Sequence, residues 1–110
     1  MTKRSQKRAV ELDPNSADAH VWLGIAFNYA DRAEEAIPLL EKAIRLNPFA
    51  YTWYFLHLGH AYRFLGRYDE AIATYQKAIQ LSPKNLIAHL GLTCAYSLSG
   101  RDKEASANAK

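Results

Sequence analysis

The chain has 110 residues, 49% of them hydrophobic and 23% charged, with 14 Lys and Arg against 11 Asp and Glu for a formal charge of +3. That balance is ordinary for a soluble globular domain. No apolar run approaches the roughly 18 residues of a membrane span, and residues 1–8 lack the apolar core of a secretory signal, so a cytoplasmic setting is expected. The single cysteine, Cys94, excludes an internal disulfide.

Divided along the chain, the excess positive charge is local. Lys3, Arg4, Lys7 and Arg8 precede any acid, whereas ten basic and eleven acidic residues follow from Glu11 onward. A basic tip without a continuing basic stripe reads as a solvated helix end, and nucleic acid is disfavoured as a partner.

The residues up to about Asp13 read as the last turns of a helix stopped by Pro14. Asn15 or Ser16 can cap the next helix, which runs to about Tyr29, and a partner helix follows over 33–46. Pro38 falls within that partner, where it removes one backbone hydrogen bond or shifts the start inward. Pro48 ends it. Helices over 52–65 and 68–81 follow, separated by Gly66, which supplies a positive-φ turn. After Pro83 comes a helix over 86–99, then Gly100 and the start of another from Asp102.

These elements repeat. Leu23, Gly24, Phe27, Ala36, Ala43, Leu46 and Pro48 recur 35 residues on as Leu58, Gly59, Tyr62, Ala71, Ala78, Leu81 and Pro83. Ala9, Leu12 and Pro14 precede the first set, and Tyr96, Gly100 and Ala105 follow the second, each at a spacing of 34. A period near 34 marks a helical repeat array. Small residues at Gly24, Gly59 and Thr93 allow close helix approach, with Phe27, Tyr62 and Tyr96 filling the space beside them.

Phe55-x-x-Leu58-Gly59-x-x-Tyr62, then Ala71-x-x-x-Tyr75 and Pro83, resembles the tetratricopeptide repeat signature slot by slot. The first repeat is looser: His20 takes the leading aromatic slot, Asp31 the interhelical glycine slot and Leu40 the second aromatic slot. The third carries His89 and Thr93. The resemblance implies an all-α, right-handed superhelical solenoid of antiparallel helix pairs, with two full repeats and partial flanking ones. On that reading 1–110 is one domain, divided into a partial repeat (1–14), repeats over 15–48 and 49–83, and a partial repeat over 84–110.

The same resemblance assigns the free arc of each first helix to a concave, partner-binding surface. In the first repeat that arc holds Asp18, Val21, Trp22, Ile25, Asn28 and Tyr29. In the second it holds Trp53, Leu56, His57, His60, Arg63 and Phe64, and in the third Ile87, Leu90, Gly91, Cys94, Ser97 and Leu98. One residue is added between Pro48 and Gly59, within a stretch that packs five of the chain's aromatics (Phe49, Tyr51, Trp53, Tyr54, Phe55) into seven positions. The resemblance calls for Phe55 and allows Tyr54 there, which leaves Phe49, Tyr51 and Trp53 surplus, and Trp53 becomes a candidate anchor. Val21, Ile25 and Leu56 can alternatively pack against one another across neighbouring helices.

The first helices are apolar on nearly every side, and such helices are expected to be covered on both. The groove therefore suits an apolar or amphipathic protein or peptide. Some relatives grip a terminal carboxylate with Lys, Arg and Asn on this arc, but only Arg63 and Asn28 offer that chemistry here.

No catalytic constellation emerges. His57 and His60 lie three apart with Cys94 on the next repeat's matching face, but no further His, Asp or Glu is securely placed to complete a site, so no metal or other cofactor is expected. No phosphate loop, nucleophile elbow or paired-cysteine motif occurs. The expected function is a non-enzymatic interaction module with a scaffold or adaptor role. The alternatives are a homo-oligomerisation module, self-associating through open repeat ends, and the regulatory arm of a larger enzyme or regulator.

Overall fold

The structure is a computed structural model that describes residues 16–47 and 51–100. Among them are five helices and no strands: α1 (Ala17–Tyr29), α2 (Ala33–Leu46), α3 (Thr52–Phe64), α4 (Tyr68–Leu81) and α5 (Leu86–Leu98). Each boundary falls within a residue or two of the expected one. The basic tip, the helix end before Pro14, Pro48 and Phe49, and the segment from Asp102 lie outside the described residues.

Local chemistry explains where the helices begin and stop. The Ser16 hydroxyl accepts from the Ala19 amide at 3.2 Å, and Asn85 Oδ1 accepts from the Ala88 amide at 3.0 Å, so α1 and α5 start on side-chain caps. At the other end of α1, Asp31 takes a positive φ of 61°, and Gly66 does the same after α3 at 76°. The amides of Arg32 and Arg67 then reach back to the carbonyls of Phe27 and Tyr62, each at 2.9 Å, closing matched Schellman turns. Pro38 lies inside α2, and the helix still begins at Ala33, so the cost is the one missing hydrogen bond.

The repeat is copied in its ion pairs as well. Arg32 pairs with Glu35 and Arg67 with Glu70, both at 2.5 Å, and the two guanidinium groups sit over Phe27 and Tyr62 at 5.1 and 4.9 Å. Helices α1, α3 and α5 pack side by side as one layer, backed by α2 and α4 as a second. Between the layers the alanines at 36, 43, 71 and 78 are fully buried and hold the helices close. A Cβ at Gly24 would stand 2.9 Å from Leu40 Cγ, and one at Gly59 would stand 2.7 Å from Tyr75 Cε1. The slot that takes Leu40 in one hairpin therefore takes Tyr75 in the next.

Candidate functional site

The residues expected to line a groove on α1, α3 and α5 divide in the structure into a buried set and an exposed set. Val21, Ile25, Leu56 and Asn28 are buried, as is Gly91. Val21, Ile25 and Leu56 belong to the core cluster, Asn28 bonds across to α3, and Gly91 lies against Tyr75 of α4. Trp22 (46% exposed), Tyr29 (84%), Phe64 (51%) and the trio Ile87, Leu90 and Leu98 (55% each) are open. Cys94, Ser97 and Asp18 are also exposed, and Trp53, His57, His60 and Arg63 are half-buried.

An aromatic row runs along this face. Trp22 and Trp53 meet across α1 and α3 with centroids 5.6 Å apart. Trp53 then meets His57 edge-on at 6.3 Å, His57 meets His60 at 5.6 Å, and His60 stacks on Phe64 at 6.3 Å. Residues 53, 57, 60 and 64 follow the three- and four-residue steps of one helix face, so α3 alone lays out most of the row.

Of the two rings that the repeat pattern allows at the start of α3, Tyr54 is fully buried and Phe55 partly so, packed against the core. The Tyr54 hydroxyl donates to Asp18 and accepts from Asn47 Nδ2 at 3.4 Å, tying α3 to α1 and to the end of α2. Asp18, an expected groove residue, therefore serves this tie. A further close approach is made at Gly91, where a Cβ would lie 2.4 Å from Cε1 of Tyr75 in the preceding repeat. The helix that Thr93 is expected to approach, from Asp102, lies outside the described residues.

Tyr75 is the feature that sequence reasoning missed. It rises from α4, fully buried, between Gly59 of α3 and Gly91 of α5. Its hydroxyl emerges beside the aromatic row, where it accepts from Arg63 Nε at 3.2 Å and lies 2.5 Å from His60 Nδ1. Burial pushes the Tyr75 phenol up, so the hydroxyl keeps its proton. With Arg63 donating to the oxygen, that proton goes to Nδ1, and the network assigns the proton of the neutral imidazole to Nε2. The signal in the sequence was the pair of glycines facing a large residue one helix away.

Burial, and then the neighbouring His57 and Arg63, hold the His60 imidazole down to about 4. Burial also lowers His57. A folded-state value below the ordinary 6.5 makes the neutral form the folded form. The unfolded chain thus binds more protons between pH 6.5 and 4, and stability is full above that window and lost as pH falls through it. Discounted for partial exposure, the loss expected from His60 is about 2 kcal/mol. Urea denaturation at pH 7 and pH 4.5 measures it, and His60→Asn flattens the slope if the assignment is right. An equal slope in that variant would refute it.

Asn28 bridges α1 and α3, its Nδ2 donating to the His57 carbonyl at 3.1 Å while Oδ1 has no partner among the described residues. Beside it, Tyr29, Asp31 and Phe64 line an open cleft of about 330 Å³. No group of three or more His, Cys, Asp or Glu side chains gathers in metal-binding geometry among the described residues. Nor is any described helix long and apolar enough to cross a membrane.

Residues 4–51 match a family model described as tetratricopeptide repeat, and residues 59–100 match one described as TPR repeat. Two crystal structures of MamA are each 35% identical, cover 96% of this chain and superpose with TM-scores of 0.87 and 0.85; the chain covers 57% and 61% of theirs. MamA from residue 41 to its end, from Desulfovibrio magneticus RS-1, superposes at 0.88 with 23% identity, covering 96% of this chain and 59% of that one, a likeness of fold alone. The chain thus spans about three-fifths of the length of these structures. No curated protein matches the sequence significantly.

Proposed function

Because the chain belongs to the tetratricopeptide repeat family, we propose that it is a protein–protein interaction module, with no catalytic role, whose α1–α3–α5 face takes an apolar or amphipathic peptide or helix of a partner. The observation that carries this reading is the aromatic row from Trp22 to Phe64, flanked by exposed Tyr29, Ile87, Leu90 and Leu98. Isolated exposed apolar residues are ordinary, but a contiguous set on one face is a mark of an interaction surface.

The chain's two tryptophans, Trp22 and Trp53, both lie in that row, so intrinsic fluorescence reports on it directly. A bound partner peptide is expected to shift the indole emission to shorter wavelength. The change should persist from 50 to 300 mM salt, since few cations line the face. Binding that leaves the indoles unchanged, or that collapses with salt and disappears on removing Lys3, Arg4, Lys7 and Arg8, would refute the assignment in favour of a nucleic-acid or other polyanionic partner.

A second reading is self-association. Helix α5 contains no charged residue, and Leu86, Ile87, Leu90 and Leu98 are all exposed on it. A helix so apolar favours contact with another copy or with further repeats. Molecular mass in solution across a concentration series separates this from a vacant peptide groove, because self-association raises the mass with concentration.

A further inference from the structure

Arg63 is half-buried beside the aromatic row. Its Nε is committed to the Tyr75 hydroxyl at 3.2 Å, and its guanidinium carbon lies 5.2 Å from the Phe64 ring centre. Among the described residues no carboxylate pairs with it, in contrast to Arg32 and Arg67, which are each held by a glutamate three residues on. Arginine has no acceptor, so the terminal nitrogens left over are pure donors. The Tyr75 hydroxyl occupies His60 Nδ1 and turns the donor nitrogen, Nε2, to the other side of the ring. Arg63 and His60 thus present donors and positive charge, while the acceptor nitrogen of His60 is taken up by Tyr75.

From this arrangement we infer that the partner segment carries an Asp or Glu side chain, set among apolar or aromatic residues, whose carboxylate docks on Arg63 and His60 while its neighbours stack along Trp53 and Phe64. The inference rests on the groove reading above and names the chemistry that the groove selects. Guanidinium and carboxylate match in planar geometry, and partial burial strengthens the pair relative to one in bulk water. A polar centre within an apolar strip fixes the register of a ligand that apolar contacts alone would let slide. The Tyr75 hydroxyl prepays part of the ordering by holding the guanidinium through Nε.

The test is selection from a phage-displayed library of random twelve-residue peptides, fused at their C-termini and so lacking a free terminal carboxylate. It is run on the full chain and on Arg63→Gln and Arg63→Lys, with circular dichroism verifying that each variant folds. On the wild type, recovered peptides are expected to be enriched in an acidic residue beside aromatic or aliphatic ones. Changing that acid to its amide should cost at least fivefold in affinity. Arg63→Gln should recover apolar peptides without the acidic preference, and Arg63→Lys should retain a preference. Apolar peptides without acidic enrichment on the wild type would overturn this inference and leave the groove standing. Failure to recover any peptide from the wild type would overturn both.

Discussion

Tyr75→Ala is expected to destabilise the chain by about 3–5 kcal/mol, the range for removing a large buried aromatic. The ring is fully buried, and it touches two helices, lying against Gly59 on one side and Gly91 on the other. Neither glycine has a side chain that can relax into the space. Removal therefore leaves a cavity at the junction of α3, α4 and α5 and strands Arg63 and His60 without their shared partner. Against the roughly 5–15 kcal/mol that holds a typical domain together, this is a large fraction. Because repeat arrays gain cooperativity from contacts between neighbouring units, the thermal transition should also broaden. Tyr75→Phe isolates the hydroxyl: it keeps the ring and should cost about 1 kcal/mol. If Tyr75→Ala melts within a few degrees of the wild type, the ring is not the wedge described.

The second large effect is on binding. Trp53→Ala should weaken a peptide bound in the groove by roughly 2–4 kcal/mol, the usual range for a central aromatic anchor. Trp53 stands where the row crosses from α3 to α1, 5.6 Å from Trp22 and 4.9 Å from Tyr54 between ring centres. It is half-buried, so the variant should lose about 1–2 kcal/mol of stability while keeping its helices, whose junction is held by Tyr54 beneath. Calorimetric titration of wild type and variant with one selected peptide gives the affinity ratio, and far-UV circular dichroism gives the helical content. Equal affinities would make Trp53 a packing residue only. Loss of the helical signal would place it in the core.

Much of the architecture was legible before any coordinates. The period near 34, the stops at Pro48 and Pro83 and the turn at Gly66 located five helices to within a residue or two, because caps, breakers and positive-φ turns act over a few neighbours. The repeat even extends to a device that was not read from it: Arg32 and Glu35 stand 35 residues before Arg67 and Glu70, and the two pairs adopt the same geometry. Arg101 and Glu104 continue the spacing in the third copy.

The candidate face was legible only as a list. A helical wheel assigns residues to an arc, but it cannot say which members of the arc are covered by the next helix in the layer. Val21, Ile25 and Leu56 are buried, and Trp22 and Leu90 are open, because α1, α3 and α5 close on one another along seams that the wheel does not contain. That Tyr54 rather than Phe55 reaches Asp18 and Asn47 has the same origin, since those partners lie on or beside other helices.

Sequence by itself therefore determined the repeat, the helix boundaries and the apolar character of the first helices, all of which follow from interactions within a turn or two. Only the tertiary structure decided the floor of the face and its polar centre. Tyr75 reaches His60 and Arg63 because two glycines from different helices leave a slot one ring wide, and a slot exists only once both helices are in place.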